Sequence, residues 1–211
     1  MTGLSRRAFT TAAMASLLVG CAGQATEQDA SARRPRGHQE TGDGSSSGSS
    51  ASANSARTLG RSVPVRLRIP AIGVDTPVMG LGLARDGTVE VPPITADDRA
   101  GWYRHSPTPG QVGPSVILGH VTVGAYGDGV FRRLGELRRG DRIVARRQDG
   151  SSAEFTVGAV RTVAKADFPA DQVYGDVDRP ELRLITCGGP REGQEYRDNV
   201  IVFASLSPAA P

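Results

Sequence analysis

Glycine and proline divide the chain into short segments from residue 62 onward, and this spacing limits what the chain can fold into. The sequence has 27 glycines and 14 prolines among 211 residues. Both residue types favour turns and interrupt helices, which excludes a bundle of long helices. Between them lie short runs rich in valine, isoleucine and leucine, which are typical of the strands of a β-barrel or β-sandwich.

Eight of these runs have the composition of strands. The first, Val65–Ile69, alternates apolar and charged residues strictly, as a strand with one buried face does. Asp149-Gly150 predicts a tight hairpin turn, and the apolar spacing over Val130–Leu137 predicts one or two helical turns. The domain is therefore predicted to be all-β, with few short helices or 3-10 turns. The other predicted strands are Thr76–Met79, Thr88–Val91, Ser115–Gly119, Arg142–Arg146, Glu154–Val163, Glu181–Thr186 and Val200–Leu206.

Residues 1–21 have the features of an export signal. Arg6 and Arg7 precede an apolar stretch, Ala8–Gly20, which as a helix would span roughly 20 Å, too short for a bilayer core of about 30 Å. The arginine pair is similar to a twin-arginine signal. Leu18-Val19-Gly20-Cys21 resembles a bacterial lipobox, so Cys21 is the candidate lipid attachment residue. A generic signal or an uncleaved anchor, with Cys21 as a bystander, is the alternative.

Residues 22–61 are predicted to be a disordered tether. They contain almost no large apolar side chain, and residues 41–56 are nearly all serine, glycine and alanine. Such a segment cannot bury a core, and about forty residues of it would have a root-mean-square span of roughly 35 Å. His38 is interpreted as a solvated residue of this linker. The folded domain is predicted to cover residues 62–211.

The charge distribution and the cysteine count exclude several classes of function. The net charge of +3 comes from residues 1–61, which hold seven arginines and four acidic residues, whereas the domain is neutral. A nucleic-acid-binding domain would carry its basic patch on the folded part, so no nucleic-acid partner is expected. The two cysteines and the lack of a Cys/His cluster exclude a structural zinc site. No signature of a nucleotide site is present, and no cofactor or metal is predicted.

Cys187 and His120 each follow a predicted strand and together suggest thiol chemistry. Cys187 is followed by Gly188-Gly189-Pro190, where the chain turns at once, and His120 follows Ser115–Gly119. A thiol and an imidazole are the pair that nucleophilic cysteine catalysis needs. A buried core thiol and a solvated loop histidine are the alternatives. His105, the other histidine of the domain, is interpreted as a surface loop residue.

Acyl transfer also needs a group that stabilises an oxyanion, and three arginines compete for this role. Arg197 lies just before the last predicted strand and is the first candidate. Arg191 lies in the predicted loop between Cys187 and Arg197. Arg183 shares a strand face with Cys187 by alternation. For each of them, a solvated or ion-paired surface arginine is the alternative.

The order of histidine, cysteine and arginine on an all-β domain resembles the sortase family of Gram-positive surface enzymes. The Thr-Cys-Gly-Gly and Tyr-x-Asp-Asn patterns are most like the class F branch of actinobacteria. The matching segments span nearly all of residues 62–211. They are Leu67–Val74, Gly101–Tyr103, Pro109-Gly110, Val116–His120, Val130–Leu134, Gly140-Asp141, Leu184–Gly189 and Tyr196–Ala204.

The resemblance implies a role for each site residue. Cys187 would be the nucleophile, His120 the acid and base, and Arg197 the residue that positions substrate and oxyanion. In well-known sortases the arginine lies five residues before an alanine of the final strand, a position that Asn199 occupies here. Arg197 is two residues earlier, on the same face of an extended strand. Asn199, whose amide can donate, and Thr186 are further candidates for binding substrate or oxyanion.

The resemblance also implies a fold, a reaction and a cellular location. The fold would be an eight-stranded sortase-like β-barrel. The enzyme would cleave a sorting signal resembling Leu-Pro-x-Thr-Gly between threonine and glycine through a thioester. It would then transfer an exported protein to an amine of a peptidoglycan precursor or of another protein. It would act as a monomer at the extracytoplasmic face of the cell membrane, held there through its N-terminal anchor.

Two other classes of function remain open from the residues alone. A cell-wall peptide hydrolase or an L,D-transpeptidase would also use cysteine and histidine. L,D-transpeptidases typically carry a Ser-His-Gly-Cys motif, whereas Thr186 precedes Cys187 here, and papain-like hydrolases place the cysteine before the histidine. A non-catalytic surface lipoprotein is the second class, and an active-site thiol probe separates an enzyme from a binder.

Overall fold

The computed structural model describes residues 58–208, except residues 97 and 194. The predicted export signal, Cys21, His38 and the linker up to residue 57 lie outside the described residues. Within residues 58–208, apart from those two positions, no helix is both long and apolar enough to cross a membrane.

Eight strands close into a barrel, so the predicted all-β fold with eight strands is confirmed. Around the barrel they follow the order β1-β2-β3-β4-β7-β8-β6-β5, with β5 pairing back onto β1. The pairs β2–β3 and β4–β7 are parallel, and the other neighbours are antiparallel. The strands are β1 (Pro64–Ile69), β2 (Val74–Leu81), β3 (Ala100–Tyr103), β4 (Gly113–Leu118), β5 (Arg142–Arg147), β6 (Ser152–Ala164), β7 (Pro180–Glu192) and β8 (Glu195–Leu206).

One predicted strand is wrong and one strand escaped prediction. Thr88–Val91 lies in the connection between β2 and β3, where an isolated bridge joins Leu83 to Val89. Pro92 and Pro93 follow at once and lack the N–H groups that a strand ladder needs. The strand that was not predicted is β3, which is only four residues long. The predicted Asp149-Gly150 hairpin is confirmed, since it joins β5 to β6 with Gly150 at φ 82°.

The helical elements are few and short, as predicted. Within the predicted helical segment 130–137, only one 3-10 turn forms, at its end. One α-helix, α1 (Ala170–Tyr174), lies in the connection between β6 and β7. The 3-10 turns are Pro70–Ile72, Gly124–Tyr126, Leu134–Glu136 and Lys165–Asp167.

Side chains alternate between two apolar clusters on the two sides of the barrel wall. The interior cluster contains one face of β4 and β7, with Ile117 and Leu184 fully buried. The other face of the same strands forms an outer cluster of Val116, Ile185, Ile201 of β8 and Val173 of α1. The helix α1 therefore covers part of the outside of the barrel, next to the strands that carry the candidate site.

The segment before β1 is already packed on the domain. The amide of Leu59 donates to the carbonyl of Gly110 over 2.8 Å, and the buried guanidinium of Arg147 donates to the carbonyl of Gly60. Farther along, the amide of Asp149 donates to the Ser62 hydroxyl over 3.1 Å. Leu59 and Gly60, which precede residue 62, thus already contact the barrel.

Candidate active site

The parallel pairing of β4 and β7 brings His120 and Cys187 to the same level. The last pair between the two strands is Leu118 with Ile185, and the amide of Gly119 donates to the Ile185 carbonyl over 3.1 Å. His120 and Cys187 each lie two residues beyond that pair. Because neighbouring strands are about 4.8 Å apart, the two residues lie side by side, His120 just beyond the end of β4 and Cys187 within β7.

The alternation of side chains along β7 places the Cys187 thiol on the outside of the barrel. Leu118 and Ile185 pack in the outer cluster, whereas Ile117 and Leu184 point into the interior. Residues two positions along a strand share a face, so the Cys187 side chain continues the face of Ile185. The thiol is free and half-buried, with the outer cluster beneath it.

Three contacts hold His120 in place. Its carbonyl accepts from the amide of Phe131 over 2.9 Å, which ties it to the loop that returns towards the barrel. Gly129 lies so close to this carbonyl that a β-carbon there would overlap it. On the ring, Nε2 lies 2.6 Å from the main-chain oxygen of Pro92, in the connection between β2 and β3. The ring is therefore held from a segment distant in sequence.

The register of β7 and β8 places Asn199, rather than Arg197, directly beside Cys187. Cys187 and Asn199 are cross-strand partners, and Arg197 is two residues earlier on β8. The Arg197 side chain is 66% exposed, and its Nε lies 3.6 Å from a carboxylate oxygen of Glu192. The same guanidinium lines an open pocket with Lys165. Asn199 and Arg197 share the outer face with the thiol by alternation.

Thr186 and His105 occupy different surroundings. Thr186 belongs to the inward-facing row of β7, and its hydroxyl is buried with no hydrogen-bond partner in the described part of the chain. His105 is exposed, and its ring centroid lies 5.4 Å from that of Tyr103. The prediction that His105 is a surface loop residue agrees with this exposure.

The two rival arginines are engaged elsewhere. Arg183 is buried beneath α1, where its Nε donates to the carbonyl of Gln172 over 3.2 Å and its guanidinium forms an ion pair with Glu181. Its guanidinium also lies 4.7 Å from the ring centroid of Phe203. Arg191 lies in β7 rather than in a loop, because β7 and β8 extend past the cysteine as a long hairpin, and it stacks on Tyr196.

Aromatic side chains line the outer face below the thiol. Tyr174 of α1 lies 6.2 Å from Tyr103 and 6.1 Å from Phe168, centroid to centroid. Burial raises the pKa of the Tyr174 phenol above its usual value, and the neighbouring Tyr103 adds to this effect. The surroundings of Tyr174 therefore disfavour its phenolate form. Sequence reasoning did not identify these rings, which are far apart in the sequence.

The arrangement is suited to acyl transfer by a thiol. It combines a nucleophilic group, a group that moves protons and, in Asn199 and Arg197, donors for an oxyanion. Among residues 58–208, with 97 and 194 left aside, no group of three or more His, Cys, Asp or Glu side chains is placed to hold a metal ion.

The family model of the sortase domain matches residues 67–207 of this sequence. The chain belongs to the sortase family. None of the curated proteins matches its sequence. The family and the barrel support assignment as a cysteine transpeptidase, so the predicted family and the coarse activity are confirmed.

Solved structures of sortases from several classes share the fold. Sortase A of Corynebacterium diphtheriae, a lid mutant, aligns with a TM-score of 0.55 at 21% identity, over 72% of this chain and 74% of that one. Sortase C-1 of Actinomyces oris aligns with a TM-score of 0.54 at 22% identity, over 69% and 76%. The Clostridium perfringens Sortase D5 transpeptidase aligns with a TM-score of 0.51 at 21% identity, over 69% and 78%.

Proposed function

We propose that this sortase cleaves a sorting signal resembling Leu-Pro-x-Thr-Gly with Cys187 as the nucleophile. The observation that carries the proposal is the common level of His120, Cys187 and Asn199, just past the end of β4 and within β7 and β8, with Cys187 and Asn199 on the outer face. An extended peptide lying on this face would contact the outer cluster with its apolar residues. Its scissile carbonyl would meet the thiol beyond Ile185.

The reaction proceeds in two acyl transfers. The thiolate of Cys187 attacks the threonine carbonyl carbon, and the resulting oxyanion accepts hydrogen bonds from Asn199 or Arg197. The intermediate collapses to a thioester as the glycine amine leaves with a proton supplied by His120. An acceptor amine then attacks the thioester, His120 takes up its proton, and the thiolate is released. The products are a new amide and the unchanged enzyme.

To bind the oxyanion or the substrate, the Arg197 side chain must adopt a different conformation from the one in this structure. Its guanidinium is engaged with Glu192 and largely exposed. A bound peptide that brings an oxyanion to the thiol supplies a stronger partner than an exposed carboxylate does. We assign Arg197 to substrate positioning, with Asn199 sharing the oxyanion, because only Asn199 is the direct cross-strand partner of the cysteine.

The proposed setting is the outer face of the cell membrane. The leader and Cys21 would anchor the enzyme, which would act as a monomer on exported proteins. A peptidoglycan precursor or a protein amine would be the acceptor. The Thr-Cys-Gly-Gly and Tyr-x-Asp-Asn patterns support membership of class F.

The experiment incubates the purified protein with a library of sorting-signal peptides and an amine such as triglycine, and identifies products by mass. Transpeptidation gives cleavage between threonine and glycine with the amine added. A carboxylic acid formed equally fast with and without amine would identify a hydrolase. Cys187→Ala should abolish both products, and the exposed loop variant Thr95→Ala is the control.

A second series separates the oxyanion candidates by their kcat/KM values. Arg197→Ala and Asn199→Ala should each lose on the order of a hundredfold or more, the effect of removing an oxyanion donor. Arg191→Ala should lose little, because Arg191 stacks on Tyr196. If Arg191→Ala is crippled while both Arg197→Ala and Asn199→Ala stay near wild type, the assignment is wrong.

A further inference from the structure

We propose that Pro92 is a positioning residue for the catalytic histidine and makes Nδ1 of His120 the nitrogen that exchanges protons. The inference rests on the proposed role of His120 as acid and base. It adds a residue of the β2–β3 connection to the proposed site. The single contact that suggests it is the 2.6 Å separation between His120 Nε2 and the Pro92 main-chain oxygen.

The chemistry of this contact fixes the tautomer. A carbonyl oxygen only accepts hydrogen bonds, so Nε2 must carry a hydrogen to bind it. A neutral imidazole has one protonated and one unprotonated ring nitrogen, which leaves the lone pair on Nδ1. When His120 takes up a proton it does so at Nδ1, and the bond from Nε2 to Pro92 persists. The ring can therefore serve both acyl transfers without turning over.

The covalent structure of the segment aims this carbonyl. The ring of Pro92 fixes its own φ near −65°. Pro93 restricts the ψ of the residue before it to extended values. Both torsions that orient the Pro92 carbonyl are thus limited by the two successive rings. Neither proline has an N–H that could compete for a nearby acceptor.

The segment is also tied on both sides of the prolines, to Thr76 of β2 and to Gly82, which directly follows β2. Before the prolines, the amide of Gly82 donates to a carboxylate oxygen of Glu90 over 2.6 Å, and the Glu90 amide donates back to the Gly82 carbonyl over 3.1 Å. After them, the hydroxyl of Thr76 donates to the carbonyl of Asp98. Pro92 itself is buried. These contacts describe a fixed support for the imidazole rather than a loose cover over the site.

The test uses the full-length protein and removes, in two steps, the restrictions on the torsions that orient the Pro92 carbonyl. Pro93→Ala frees one torsion, and the double variant Pro92→Gly with Pro93→Gly frees both. Nitrogen-15 shifts of the His120 ring report the tautomer, with His38→Gln and His105→Gln assigning the signals. We expect a growing fraction of the Nδ1–H tautomer and a kcat lower by about tenfold in the double variant, with KM nearly unchanged.

Thr95→Gly is the matched control, because it loosens the same connection at an exposed residue that does not touch the imidazole. It should keep both the wild-type tautomer and the wild-type kcat. An unchanged tautomer in Pro93→Ala and in the double variant overturns the proposal, and so does a rise in kcat, which would identify a lid. Full activity of His120→Gln would instead refute the proposed function, while the tautomer measurement would still report on Pro92.

Discussion

Gly188 and Gly189 follow Cys187, the proposed nucleophile, where β7 and β8 come close together. A β-carbon on Gly188 would lie 2.6 Å from a methyl carbon of Val200. Gly189 has φ 72°, and a β-carbon there would overlap the carboxylate of Asp198. The Thr-Cys-Gly-Gly pattern is thus explained by lack of space and by backbone conformation. It sets the path of the chain as it leaves the cysteine.

Gly188→Ala should destabilise the protein by about 1–3 kcal/mol, the usual cost of overpacking. The measurement is the free energy of unfolding in urea. Gly158→Ala in β6 is the control, since its added carbon would meet only the Phe203 carbonyl at an ordinary 3.5 Å. Equal stability of the two variants would show that the β7–β8 hairpin adjusts freely, contrary to this account.

Tyr174 should make the protein sensitive to high pH. Its pKa is raised in the folded state by burial, so the unfolded chain loses this proton first as the pH rises. The stabilisation is complete below the unfolded value of about 10 and is lost as the pH rises towards the folded value. In an absorbance titration at 295 nm, Tyr174→Phe should remove an ionisation step that lies above the usual tyrosine value of about 10.

Tyr126→Phe serves as the comparison, because Tyr126 is 60% exposed. That variant should keep the late ionisation step and the wild-type loss of stability at alkaline pH. If the late step survives in Tyr174→Phe, the phenol of α1 is not the perturbed group.

At the scale of elements, α1 is held to the barrel by Arg183 of β7, which also forms a buried ion pair with Glu181 of the same strand. Glu181 and Arg183 are 7% and 5% exposed, and Arg183 reaches the carbonyl of Gln172 in the helix. Removing one partner of a buried pair leaves an uncompensated charge, at a cost of about 3–5 kcal/mol. Arg183→Met should therefore be strongly destabilising, with some compensation because Arg179 also contacts Glu181, 2.6 Å away.

A double-mutant cycle in urea measures the pair itself. Glu181→Leu combined with Arg183→Met should be more stable than the sum of the single losses predicts, because no charge is left buried. Arg179→Met is the surface control and should cost about 1 kcal/mol or less, since that side chain is 63% exposed. Additive losses would mean that Arg183 acts through packing alone.

Which elements the sequence could predict depended on how locally they are determined. β1 and β5 to β8 show apolar runs or period-two alternation, and their prediction needed no knowledge of partners. β3 is too short for such a signal and exists because β2 and β4 pair with it. The segment Thr88–Val91 has strand-forming residues, but the two prolines that follow cannot continue a ladder.

The candidate site also contains some features that the sequence could predict and others that it could not. Cys187 and His120 could be proposed because each follows an apolar run and carries a reactive side chain. The contact of His120 with Pro92 could not be predicted, because every residue has a main-chain carbonyl and the residue type does not show which one binds the ring. Arg183 shared a face with the cysteine by alternation, yet only the packing of α1 shows that its donors are occupied.

For the whole molecule, the barrel should depend on the residues just before β1. A variant that begins at residue 58 should match the stability of the full chain. One that begins at residue 62 loses the packing of Leu59 and the Gly60 carbonyl that Arg147 binds, so it should be less stable by about 2 kcal/mol. The measurement is the thermal and urea unfolding of the two fragments. Equal stability would place the start of the folded domain at residue 62.

The segment that leads into β1 and the candidate active site lie at opposite ends of the barrel. The chain reaches β1 beside Gly110, near the start of β4, whereas His120 follows the end of β4 and Cys187 lies at the same level in β7. From Pro180 to Cys187 a strand rises about 23 Å. A bead, a surface or a fusion partner coupled ahead of residue 58 is thus attached at the end of the barrel opposite the candidate site. It therefore leaves that site unobstructed. Amino-terminal coupling is the natural way to build an immobilised ligation catalyst from this chain.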